Sequence, residues 1–123
     1  MDMEQPLLAF GPFGVSVCDG PYRVFKWQWQ NVFVIELTDR CLRGNRRTRF
    51  GLGGSRGRGS SFEIPYAAIM SVKLLAHPAR LGLMQVLDVI YRDDRGAVRE
   101  KSIAAYNQPA TSAFSILQRY APR

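Results

Sequence analysis

The sequence predicts a small, mainly β domain of about seven antiparallel strands with a single helix at its C-terminal end. Three observations predict it. Short alternating or apolar runs recur between Gly, Pro, Asn and Asp turns. A hairpin signature, Arg92-Asp93-Asp94-Arg95-Gly96, separates the last two of these runs. Only the final stretch carries apolar residues at helical spacing: Ala110, Ala113, Phe114, Leu117 and Tyr120.

Taken in order, Leu7–Phe10 reads as a short strand in a segment interrupted by Pro6, Gly11 and Pro12. Phe13–Cys18 alternates and reads as a strand ended by Asp19-Gly20-Pro21. Tyr22–Trp29 places Phe25, Trp27 and Trp29 on one face and Val24, Lys26 and Gln28 on the other. That aromatic row is expected to lie in the core beneath the helix. Val32–Leu37 is the most hydrophobic strand and is expected to be central, with a turn at Thr38-Asp39-Arg40 and a returning strand from Cys41. Residues 44–60 lack periodicity, contain six glycines and read as a loop. Phe62–Ile64 resumes a strand, Pro65–Ala68 is a single helical turn, and Ile69–Leu75 is a strand. Met84–Tyr91 and Ala97–Ala104 flank the hairpin turn. The helix is expected over about 108–120, capped by Asn107 or Gln108, with Pro109 in its first turn and Pro122 beyond its end.

The length of 123 residues suits one domain, residues 1–123, with one core, and a hydrophobic content of 46% argues against overall disorder. No apolar run approaches the ~18 residues of a spanning helix. The opening MDMEQPLLAFGPFG lacks a basic leader followed by a long apolar stretch, so no signal peptide is expected. The expected location is cytoplasmic, either free or peripheral to a membrane. Cys18 and Cys41 have no CxxC spacing and no neighbouring histidine; both are expected to be reduced and buried.

Charge is the most uneven property of the chain. Its net charge is +7, from 17 basic and 10 acidic residues. Seven arginines fall between Arg40 and Ser61, with no acid and no lysine among them: Arg40, Arg43, Arg46, Arg47, Arg49, Arg56 and Arg58. Setting those seven aside leaves ten basic against ten acidic residues. A neutral scaffold displaying one cationic flap is therefore expected, with Arg23 and Lys26 as a possible second contact. Guanidinium forks grip phosphate oxygens in pairs and stay charged at every relevant pH. Near an anionic bilayer each can contribute up to roughly 1 kcal/mol before screening.

Three local patterns resemble those of a known family. The hydrophobic strand runs into Leu37-Thr38-Asp39-Arg40 with Leu42 beyond it. Ile64-Pro65-Tyr66-Ala67-Ala68-Ile69 leads into Ser71-Val72. The block from Val86 to Tyr120 holds VLDVIYRDDRG and the closing helix. Together they cover most of residues 31–120, and their order resembles the bacterial PH-like and GRAM-like branch of the PH superfold. The resemblance implies a barrel of two roughly orthogonal antiparallel sheets closed at one end by the helix. The basic Lys-x(n)-Arg-x-Arg pattern of lipid-binding PH domains, which are similar in fold, belongs to the first strand pair, where this chain departs from it and has only Arg23 and Lys26.

Catalytic signals do not emerge. His77 is the lone histidine and, before Pro78 in a loop, is expected to be exposed. No His, Cys and carboxylate cluster has metal-ligand spacing, and no phosphate-binding or nucleophile motif is present, so no enzyme activity, metal or cofactor is expected. The leading expectation is a binding module whose arginine-rich loop contacts an anionic surface, lipid headgroups or another polyanion. An assembly protein that forms a homo-oligomer or docks an acidic protein partner is the alternative, motivated by apolar residues on both faces of Met84–Tyr91. A second alternative is RNA or single-stranded DNA binding, because Gly54–Gly59 reads GSRGRG.

Overall fold

A computed structural model describes residues 3–22, 29–30, 32–46, 61–77 and 82–121. Among these residues the chain forms two antiparallel sheets and one C-terminal helix. The strands are β1 (Pro6–Phe10), β2 (Ser16–Asp19), β3 (Trp29–Gln30), β4 (Phe33–Thr38), β5 (Cys41–Arg46), β6 (Phe62–Pro65), β7 (Ile69–Ala76), β8 (Met84–Arg92) and β9 (Val98–Tyr106). A 3-10 turn at Tyr66–Ala68 joins β6 to β7, and α1 spans Asn107–Tyr120. The first sheet has the order β1-β4-β5-β6 and the second β3-β2-β9-β8-β7. Between Gln30 and Phe33 the chain passes from the second sheet to the first. Among the described residues the sheets do not close into a barrel, because each keeps two unpaired edges.

Period-two alternation explains the layering. In β4, Phe33, Ile35 and Leu37 turn inward and are buried, while Val34 and Glu36 point to the other side. Leu42 and Ile64 join them from β5 and β6. The second sheet answers with Val17, Leu87, Val89 and Ile103, and α1 inserts Ala113 and Leu117. Each large side chain fully buried here is worth roughly 1.5–3 kcal/mol relative to exposure. The helix packs along β7, β8 and β9 through the stripe that the sequence spacing predicts.

Several expectations need correction. Phe13 and Gly14 belong to a turn, and β2 begins only at Ser16. Gly11 (φ +99°) and Gly14 (φ +76°) adopt left-handed backbone that ends extended pairing. At Gly14 a methyl group would overlap the Tyr106 ring. The expected loop 44–60 starts too early, since Gly44, Asn45 and Arg46 pair with Ile35, Val34 and Phe33. Gly44 is glycine for packing: a methyl there would run into the Phe62 ring, which lies 6.0 Å from Phe33. Neither Asn107 nor Gln108 caps α1 by its side chain; Tyr106 is the N-cap residue, and Asn107 Nδ2 donates instead to the Gly82 carbonyl at 2.8 Å.

His77 is buried rather than exposed. Its ring meets that of Tyr22 edge-on at 5.0 Å, with Nε2 3.3 Å from the Tyr22 hydroxyl. The reason is tertiary: the His77 N–H donates to the Met84 carbonyl, which draws the residue onto the start of β8. Phe25 and Trp27 lie outside the described residues. The apolar surplus on both faces of β8 has an internal explanation, because Val86, Ser102 and Ala104 on the second face are already buried within the single chain. Both cysteines are free and buried.

Candidate functional site

The β5–β6 pair positions the arginine-rich segment. Leu42 pairs with Ile64, Arg43 with Glu63 and Gly44 with Phe62. Beyond the last pair the Arg46 N–H donates to Ser61 Oγ at 3.1 Å. The two ends of the intervening stretch therefore leave the sheet side by side. Arg47, Arg49, Arg56 and Arg58 lie outside the described residues, as do Arg23 and Lys26.

Of the seven arginines of this segment, the three described ones lie in three different environments. Arg40 is exposed in the β4–β5 turn, where its N–H donates to Thr38 Oγ1 and its carbonyl accepts from the Tyr66 N–H, each at 3.0 Å. Arg46 is half-buried at the opposite end of β5, roughly 20 Å of extended chain away. Arg43 sits between them on the outer face of the first sheet and is held by carboxylates of its own domain. Nη1 donates to Glu36 Oε1 at 3.1 Å, Nε to Glu63 Oε1 at 3.2 Å, and Nη2 to Glu4 Oε1 and Oε2 at 3.1 and 3.2 Å. Arg40 and Arg43 thus do not form one surface with Arg46, and Arg43 is a structural arginine.

Register explains two of its three partners. Glu36 and Glu63 stand directly opposite Arg43 on the neighbouring strands, an acid–base–acid row across the sheet. That row was available in the sequence to anyone who aligned the strands. The third partner, Glu4, lies before β1 and has no periodic signal.

Glu4 is also the acceptor for Thr38 Oγ1 at 2.6 Å and Cys41 Sγ at 3.2 Å. Hydrogen bonds from Thr38, Cys41 and Arg43 hold its carboxyl down at about 2. Burial, then the Glu4 carboxylate, pushes the Cys41 thiol up to about 11. That thiol stays protonated near neutral pH and is no nucleophile. Tyr66 completes the cluster by donating to the Thr38 carbonyl at 2.6 Å while stacking on Tyr120 of α1 at 5.5 Å. Burial pushes its phenol well above its ordinary range.

Where the arginine-rich stretch re-enters at Ser61, a cavity of about 800 Å³ opens beside the β8–β9 hairpin. Among the described residues its charged lining is Asp19, Asp93, Asp94 and Glu100 against Arg99 and Lys101. Lys101 Nζ is 2.6 Å from Asp19 Oδ1 and lies over the Phe62 ring. Asp93 accepts from Arg99 Nε and from the N–H groups of Arg95 and Ala97, each at 2.9 Å, which lowers its pKa. A hydrogen bond with Asp88, then burial, raises Glu100. Among the described residues carboxylates outnumber cations in this lining, which does not suit a phosphate group. Among the described residues no group of three metal-ligating side chains converges, and no helix is long and apolar enough to cross a membrane.

No known protein-family model and no curated protein matches this chain.

Proposed function

We propose that this chain is a non-enzymatic binding module of the PH-like or GRAM-like kind. Its contact element is the arginine-rich excursion between β5 and β6, and its counterpart is an anionic lipid surface. One observation carries the reading. β5 and β6 are hydrogen-bonded neighbours, and the stretch between them holds Arg47, Arg49, Arg56 and Arg58 with no acid. The sheet thus joins both ends of a segment with four arginines and no acid to one place on the domain. Arg43, in the middle of the sheet, is held by three carboxylates of its own domain, and the excursion contributes four of the seven net positive charges. The order of the strands and the closing helix support the PH-like reading.

Diffuse attraction by several guanidiniums suits a membrane surface better than a single phosphate, given the acidic lining of the neighbouring cavity. Flotation with neutral and with phosphatidylserine-containing vesicles tests the proposal. The intact chain should float with anionic vesicles only, less at high salt, and a chain with Arg47, Arg49, Arg56 and Arg58 changed to serine should remain at the bottom. Equal recovery from both vesicle types would count against it. Salt-sensitive retention of RNA without vesicle binding would replace it with the nucleic-acid reading.

A further inference from the structure

Among the described residues the two sheets have four open edges, and those of β1 and β6 are blunted. β1 begins with Pro6, and β6 is four residues long and contains Glu63 and Pro65. Proline, charge and shortness are the usual means by which an edge avoids pairing with another strand. β7 uses none of them fully. It runs for eight residues, Ile-Met-Ser-Val-Lys-Leu-Leu-Ala, without proline and with one charge, Lys73. Among the described residues only β8 pairs with it, so its outward N–H and C=O groups have no sheet partner there. Met70 and Leu75 on this edge are 50% and 46% exposed. Beside the edge lies a groove of about 430 Å³ between Ile69, Met70 and Val72 on one side and Leu117 of α1 and Ala121 just past its end on the other.

We infer that the β7 edge pairs with the β7 edge of a second copy of this chain, joining two five-stranded sheets into one. A row of open-edge N–H and C=O groups is a template for another extended strand, and the residues of β7 are themselves suited to that role. Antiparallel pairing about a two-fold axis sets one residue opposite itself. Centred on Lys73 it would oppose two ammonium groups, which is unfavourable. Centred on Val72 it sets Val72 against itself and Ser71 opposite the Lys73 of the second copy. The Leu74 of that copy then falls opposite Met70, at the mouth of the groove. No carboxylate occurs in β7 or α1, so nothing in either element opposes the approach by like acidic charge.

The test is the mass of the intact chain in solution across a dilution series, beside the same series for Met70→Lys/Leu75→Lys. Both positions are half exposed, so the variant should unfold at the same temperature as the parent. The parent should move from monomer to dimer as concentration rises, with alternate β7 amides slowing their hydrogen exchange in step. The variant should need about tenfold or more concentration for the same dimer fraction. A parent that stays monomeric at about 0.5 mM, a dimer indifferent to the two lysines, or β7 amides whose exchange ignores concentration would each overturn the inference. None of these measurements involves the arginines, so they stand or fall separately from vesicle binding.

Discussion

The Glu4 carboxylate receives the Arg43 guanidinium through both of its oxygens, tying a residue before the first strand to the middle of β5. The same carboxylate accepts from Thr38 and Cys41. Its pKa in the folded chain, about 2, lies below its ordinary 4.5. A carboxyl lowered by folding stabilises the fold fully above its unfolded value and loses that contribution as pH falls through the folded one. Denaturation midpoints of Glu4→Gln and parent should therefore differ most above pH 4.5 and converge as pH approaches 2. A constant gap across that window would refute the assignment.

Replacing Arg43 by methionine leaves three carboxylates clustered without their cation. A loss of about 1–3 kcal/mol in urea unfolding is expected. Glu63→Gln should cost less than about 1 kcal/mol, since Glu63 is 58% exposed and its ion pair is screened. Equal losses would mean that the guanidinium is not shared as described.

Both thiols are buried, and that of Cys41 is held protonated. A thiol reagent at neutral pH should label neither Cys18 nor Cys41 in the folded chain and both after unfolding. Rapid native labelling of Cys41 would show that the Glu4 segment does not cover it.

Gly44→Ala should destabilise by about 1–3 kcal/mol, because the new methyl must displace the Phe62 ring from its place between Phe33 and Lys101. Thermal unfolding measures it. An unchanged midpoint would show that the ring yields freely.

What the sequence revealed follows from where its signal lies. The strand runs, the β8–β9 hairpin and the α1 stripe were legible because burial on one face imposes a period. Gly44 was misread because a glycine that admits a neighbouring ring looks, in one dimension, the same as a glycine that turns the chain. His77 was misread because its burial depends on Tyr22, fifty-five residues away. Of the arginines, Arg43 looked like its neighbours in composition. Only the register that sets it between Glu36 and Glu63 separates it from them.

The hydrogen bond from Arg46 to Ser61 has a consequence for how this molecule can change. The sheet itself brings the two stems together, and doubling the length of what connects them costs only about 0.6 kcal/mol in chain entropy. The scaffold is thus indifferent to its insert. Residues 47–60 can be shortened, extended or exchanged for another sequence, altering what the domain meets while the core beneath remains as it is.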